Sequence, residues 1–307
     1  MHKYKILIGG PTSSGKSNLA LCLARKYRGT IINADSMQLY KELHVLTNRP
    51  SKNAAKEISH KLYGRFCASQ SCSVERWRKL AISEIKKCEK NNQTSIVVGG
   101  SGLYLHSLLH GMTQIPNIPI SIKNRARSLY QTIGPKRFFR DLKNKDKDLV
   151  SNIHPNDKNR MIRSWEVYEC TGKSIARLHR EKQEPNLSYH YQPDIFFLLM
   201  PKRDKLYEAC DSRFDDMVLQ GAVAEVRKLL SMNLNPDLPL MKALGVPEIS
   251  QYIRGDITLE EAITLTKTST RRFAKRQITW FRNHRYDAKT IKEIFFQNNF
   301  KDILSLI

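Results

Sequence analysis

Acidic side chains are scarce in this chain. Twenty-nine Asp and Glu face 52 Lys and Arg among 307 residues, a formal charge of +23, and that imbalance points to a polyanionic partner. A lysine-rich proteome raises the charge without any function, so clustering has to decide. Long apolar runs are also missing. No stretch of about 18 apolar residues occurs, so no membrane span is expected. The six cysteines, Cys22, Cys67, Cys72, Cys88, Cys170 and Cys210, form no C-x-x-C pair and have no histidine at zinc-ligand spacing, which excludes the usual zinc modules. They read as small buried hydrophobes or thiols of a reducing compartment. No secretory leader pattern opens the chain, and a cytoplasmic protein is expected. At 40% hydrophobic and 26% charged, the composition is that of a globular protein with room for one large domain or two smaller ones.

The most informative stretch is Gly9-Gly10-Pro11-Thr12-Ser13-Ser14-Gly15-Lys16-Ser17. It follows an apolar run over residues 4–8 and precedes a helical pattern from Asn18, the strand–loop–helix setting in which G-x-x-x-x-G-K-S has meaning. Gly10, Pro11, Thr12, Ser13, Ser14 and Gly15 supply a backbone that wraps a phosphate at a helix N-terminus. Lys16 adds a point charge, and the Ser17 hydroxyl is placed for Mg²⁺. Further strands are expected at residues 30–35, 95–98 and 194–200, with helices at 74–91 and 103–110. This alternation predicts an α/β fold, a P-loop parallel sheet flanked by helices. Ligands of such sheets sit beyond the strands' carboxyl ends. Residues 10–17, 35–38 and 99–102 all lie there, so three segments should meet at one crevice.

From residue 114 to 191 the texture changes. Pro116 and Pro119 interrupt the chain, and polar helical segments follow without a convincing strand. An all-helical insertion domain is expected over 114–191, inside a core made of 1–113 and 192–307. Beyond it, Asp204 is expected to cap one helix and Thr258 another. Between residues 265 and 292 nine basic residues face one acid. Arg272, Lys275, Arg276, Thr279 and Arg282 share one helical face, with Phe273, Trp280 and Phe281 interleaved. Such a stripe is either a solvated face or an RNA-binding one.

A P-loop suggests phosphoryl transfer, but its usual companion, an acid ending a later strand, is absent: Val97-Val98 runs into Gly99-Gly100. Asp35 is the one strand-end acid facing the crevice, suited to take a proton or to cap a turn. Arg203, at another strand end, is placed to clamp a pyrophosphate. Three readings stay open: a nucleotide or metabolite kinase, a transferase with a pyrophosphate-bearing donor and a nucleic-acid acceptor, and a nucleotide-gated RNA-binding protein.

Seven segments in order resemble the bacterial tRNA dimethylallyltransferases. They are the loop above; Asn33-Ala34-Asp35-Ser36-Met37-Gln38-Leu39-Tyr40; Val98-Gly99-Gly100-Ser101-Gly102-Leu103-Tyr104; His154-Pro155-Asn156-Asp157; Arg160-Met161-Ile162-Arg163; Glu166-Val167-Tyr168-Glu169; and Ala274-Lys275-Arg276-Gln277-Ile278-Thr279-Trp280-Phe281-Arg282. The resemblance implies transfer of a dimethylallyl group from its diphosphate to the exocyclic N6 of the adenosine 3′ of the anticodon, in an Mg²⁺-dependent enzyme; a monomer is expected. It implies that residues 10–17 hold the donor, with Ser17 at the metal and with Thr12, Asp35 and Arg203 as the catalytic set. It implies tRNA contacts at Asp35, Ser36, Met37, Gln38, Ser101, Lys123, Asn159, Arg160, Met161, Ile162, Arg163, Lys275, Arg276, Gln277, Thr279, Trp280 and Arg282. Lys123 stands where arginine is usual and Asn159 where glutamine is usual. Leu244-Gly245-Val246-Pro247 replaces a run that commonly carries an aromatic and a base.

Overall fold

The computed structural model describes residues 3–112, 115–145, 147–151, 153–181 and 191–305. The chain divides into two compact units, Met1–His110 with Tyr189–Ile307, and Gly111–Ser188. The first junction falls where the helix ending at His110 meets Gly111, whose φ of 72° stops it. The expected boundary at Gln114 lies outside the described residues.

In the first unit β1 (Lys5–Gly9) leads into α1 (Lys16–Tyr27), and β2 (Thr30–Asn33) into α2 (Lys52–Glu57) and β3 (His60–Lys61). Then come α3 (Val74–Lys90), β4 (Ser95–Gly99) and α4 (Gly102–His110). In the second unit α5 (Ile120–Lys145) is interrupted at Gly134, φ 73°, followed by Pro135, and α6 (Lys158–Thr171) and α7 (Ile175–Arg180) complete it. The first unit resumes with β5 (Ile195–Leu199), α8 (Arg203–Leu219), α9 (Ala222–Leu230), α10 (Val246–Arg254), α11 (Leu259–Asn283), β6 (Lys289–Ile291) and α12 (Phe300–Leu304).

The described strands form one parallel sheet in the order β3-β2-β4-β1-β5-β6. Its central strands are buried on both faces, which explains their unbroken apolar runs. Ile6, Ile8, Ile96, Val98 and Phe197 pack towards α1, while Leu7, Ile32, Val97 and Phe196 pack into the opposite layer. The register aligns Gly9 with Gly99 and Asn33 with Val98. Three strands therefore release their chains at one level, and at the adjacent pair β1 and β4 the connections diverge, β1 to β2 on one side and β4 to β5 on the other, the position at which open α/β sheets bind ligands.

Two expected strands run shorter than predicted and two short ones were not foreseen. β3 and β6 have two and three residues at the sheet's edges, too few for any period to register. Asp204 does not cap α8: Lys202 is the N-cap residue and Asp204 sits in the first turn, where its charge still complements the helix dipole. Thr258 does cap α11, in a reciprocal capping box with Glu261. α11 buries Ala262, Thr266, Thr270, Ala274, Gln277, Ile278 and Phe281, and it exposes Arg272, Lys275, Arg276, Thr279 and Arg282 on its other side. The second unit closes around its own core of Ala126, Phe138, Leu142, Leu149, Met161 and Trp165.

Candidate active site

The phosphate loop leaves β1 and is held from three directions. Gly15, at φ 88°, opens α1, and a Cβ there would strike the Phe295 carbonyl oxygen. That proximity exists because Phe295 N–H donates to the Ser14 carbonyl at 3.1 Å, seating the strap that follows β6 on the loop. Ser13 has φ 60°, a left-handed conformation that costs a side chain about 1–3 kcal/mol and recurs in functional loops. From α11, Gln277 reaches in. Its Oε1 accepts from Thr12 N–H at 2.8 Å and its Nε2 donates to the Gly100 carbonyl at 2.8 Å. From α8, Arg213 Nη2 donates to Thr12 Oγ1 at 2.5 Å.

The Lys16 ammonium bends back to the Pro11 carbonyl at 2.5 Å and lies 3.5 Å from Ser14 Oγ. Burial holds its pKa down to about 7; Asp35 opposes that shift and the neighbouring Arg213 adds to it. Burial also lowers Arg213, which Cys210 and Asp35 partly offset. Two cations with little water around them favour a ligand with multiple negative charges.

The opposite wall is the chain leaving β2. Buried Asn33 accepts from Asp35 N–H at 2.8 Å and donates to the Asp35 and Leu62 carbonyls. Asp35 Oδ1 in turn accepts from Met37 N–H at 2.9 Å. This is an Asx-type turn; no helix follows it. Ser36 N–H donates to Ser101 Oγ at 3.0 Å, tying the end of β2 to the end of β4. Gln38 Nε2 donates to the Thr47 and Asn48 carbonyls at 2.7 and 3.1 Å. Burial, with Asp35 nearby, pushes the Tyr63 phenol upward. Between the walls lies a cavity of about 510 Å³, lined by residues 12–18, residues 35–38, Leu46, Thr47, Asn48, Tyr63, residues 98–100, Ala209, Arg213, residues 242–244, Phe273, Arg276, Gln277 and residues 294–296. The volume suits a small organic ligand with a second group beside it.

The three segments expected at one crevice do meet there, and several single residues fall elsewhere. Arg203 is exposed at the start of α8 and does not line the cavity. On that helix the arginine that does is Arg213, nearly three turns further along. Gln277 is 6% exposed and bonded to two loops, so it braces the site, and it also lines the cavity. Met161 and Ile162, 0% and 8% exposed, belong to the core of the second unit; their neighbours Asn159 and Arg160 are exposed, and Arg163 is partly so. Lys123 is partly buried on α5. Arg160 pairs with Asp157 and Arg163 with Glu166, each at 3.2 Å. On α11, Trp280 is half-buried and stacks on His284 at 4.1 Å, while Phe281 is core. Arg213 carried a readable signal. It lies in the apolar stripe Leu206, Cys210, Phe214, Met217, where a charge needs a partner. The strap residues 294–296 carried none, since nothing in their types marks a phosphate neighbour.

Fold and cavity define a P-loop α/β protein with a cationic anion site and a second subsite facing a strand-end carboxylate. A profile of the IPP transferase family matches residues 38–284, and the chain belongs to that family. A tRNA dimethylallyltransferase of Rhodospirillum centenum is 43% identical over 281 residues, covering 91% of this chain and 88% of that protein. One from Wolbachia pipientis wMel is 40% identical over 279 residues, 91% of this chain and 92% of the relative. The crystal structure of a full-length tRNA isopentenylpyrophosphate transferase from Bacillus halodurans superposes with a TM-score of 0.70 at 28% identity, covering 99% of this chain and 95% of that one. A eukaryotic dimethylallyltransferase captured acting on tRNA gives a TM-score of 0.79 at 27% identity, over 95% and 74% of the two chains. None of these relatives is named a kinase.

Proposed function

We propose that this protein transfers a dimethylallyl group from dimethylallyl diphosphate to N6 of the adenosine 3′ of the anticodon in tRNA. One observation carries the reading: Arg276 lines the phosphate cavity and also belongs to the exposed basic face of α11. An RNA lying on that face would deliver a base to the mouth of the cavity. In the second unit, exposed Asn159 and Arg160 and partly exposed Arg163 and Lys123 would add contacts to RNA. The reading takes the protein as a monomer, and a tRNA substrate implies a cytoplasmic setting.

The barrier has two halves. The adenine amine is a poor nucleophile because its lone pair is delocalised into the ring, and diphosphate leaves slowly unless its charge is met. In the proposal, N6 bonds to the donor's C1 while the C1–O bond to diphosphate breaks. Asp35, oriented by the Met37 amide through Oδ1, takes the N6 proton. Lys16, Arg213 and the loop amides at the start of α1 bind the departing diphosphate. Thr12 N–H is engaged by Gln277, so the Thr12 hydroxyl, set by Arg213, is the group this residue offers the donor. No cluster of three or more metal-ligating side chains occurs among the described residues. Magnesium needs no such cluster, because it takes one or two protein ligands plus phosphate oxygens and water. The exposed Ser17 hydroxyl on the cavity fits that role, and the ion would supply charge neutralisation at the diphosphate.

The test is incubation of the protein with an anticodon stem-loop RNA, dimethylallyl diphosphate and Mg²⁺, followed by mass analysis of the nucleosides. One adenosine should gain a single C5H8 unit. Asp35→Asn should retain RNA binding and lose that product. Release of ADP from ATP without prenylated adenosine would overturn the proposal.

A further inference from the structure

The loop after β2 forms one wall of the cavity through Leu46, Thr47 and Asn48, yet it contains no regular strand or helix. Its shape is set from outside. Glu225, in the first turn of α9, turns its carboxylate towards three consecutive backbone amides of this loop. Oε1 accepts from His44 N–H and from Val45 N–H at 3.0 Å, and Oε2 accepts from Leu46 N–H at 3.0 Å. Those amides open a single turn whose far side is closed by Asn48 N–H to the Val45 carbonyl at 2.9 Å and Arg49 N–H to the His44 carbonyl at 3.0 Å. A carboxylate receiving three amides is a charge-assisted clamp, stronger than neutral hydrogen bonds of the same number.

The clamp reaches the segment that faces the acceptor. Gln38 donates its side-chain amide to the Thr47 and Asn48 carbonyls, and it follows the Asp35–Met37 turn by one residue. Displacing residues 44–48 removes the anchor of Gln38 and loosens the wall against which a base would rest. The phosphate loop is held by other groups, Gln277, Arg213 and the Phe295 strap, through hydrogen bonds that do not involve Glu225.

We infer that Glu225 is a positioning residue for the acceptor side of the site, setting the wall at residues 44–48 and, through Gln38, the base-facing segment. This rests on the function proposed above. Its consequence is asymmetric: loss of the carboxylate disturbs acceptor recognition and spares the donor. A carboxylate serving stability alone would behave otherwise, because fewer folded molecules lower kcat and leave both KM values alone.

The experiment measures steady-state prenylation of a stem-loop RNA by wild type, Glu225→Ala and the volume-conserving Glu225→Gln, varying each substrate in turn. Product from wild type establishes the reaction first, so its absence there overturns the proposed function and not this inference. With that in hand, KM for the RNA should rise about tenfold in Glu225→Ala, and severalfold in Glu225→Gln, whose single carbonyl oxygen keeps part of the clamp. KM for dimethylallyl diphosphate should stay within about twofold in both. An unchanged RNA KM in Glu225→Gln, or an equal rise in both KM values, overturns the inference.

Discussion

Replacing Gln277 with leucine keeps the bulk of the side chain and removes both ends of its bridge. In the native protein that bridge satisfies Thr12 N–H and the Gly100 carbonyl, each at 2.8 Å from a side chain only 6% exposed. Gly100 allows the contact because it has no Cβ, which would otherwise collide with Gln277 Nε2. Leaving a buried donor or acceptor unpaired costs about 1–3 kcal/mol, so two of them represent about 2–6 kcal/mol before relaxation. Water entering from the cavity recovers part of this. A residual 1.4 kcal/mol at the phosphate loop corresponds to a tenfold loss of donor affinity. Calorimetric titration with dimethylallyl diphosphate should show about that loss in Gln277→Leu, while RNA affinity stays near wild type. Amide exchange provides an independent readout, because Thr12 N–H loses its only described partner and should exchange faster. Wild-type donor affinity and unchanged Thr12 exchange, together with weakened RNA binding, would refute the bracing role and return Gln277 to the RNA face.

Arg213→Lys should lower kcat about 10–100-fold, since a charge-assisted contact contributes about 1.5–3 kcal/mol and each 1.36 kcal/mol is a decade in rate; Arg203→Ala should leave kcat within about twofold, and equal losses would erase the distinction between them. Donor binding should take up a proton above neutral pH. Lys16, held down to about 7 in the free site, is neutral at pH 8–9 and becomes charged once a phosphate lies beside it. Calorimetry in buffers of different ionisation enthalpy should therefore show uptake approaching one proton near pH 8.5 and little near pH 5.5, with affinity falling as pH rises; proton release would overturn the assignment. Arg276→Ala should weaken RNA binding and reduce the slope of log K against log salt by about one, and an unchanged slope would remove it from the phosphate contacts.

Legibility in the sequence followed the physics of each feature. β1, β2, β4 and β5 could be read because burial on both faces demands consecutive apolar side chains through the middle of each strand. The phosphate loop could be read because phosphate binding constrains adjacent residues in one short segment. Helix α11 could be read as amphipathic, and Gln277, implied as an RNA contact by the resemblance, falls with Ala274 and Phe281 on its buried side. Met161 and Ile162 were implied as RNA contacts by the resemblance, although the spacing of Met161 and Trp165 is that of a core stripe.

Charge, the P-loop, the parallel α/β class and the strand-end location of Asp35 are local properties, and the sequence by itself determined them. Which arginine meets the phosphate loop, what braces Thr12, how Phe295 seats beside Gly15 and how Glu225 shapes residues 44–48 depend on pairs separated by 179 residues or more. Only the tertiary structure decided those pairings. A hydrogen bond across such a separation leaves no period and no motif in the chain; it exists because the sheet register and helix packing bring two distant backbones to one place.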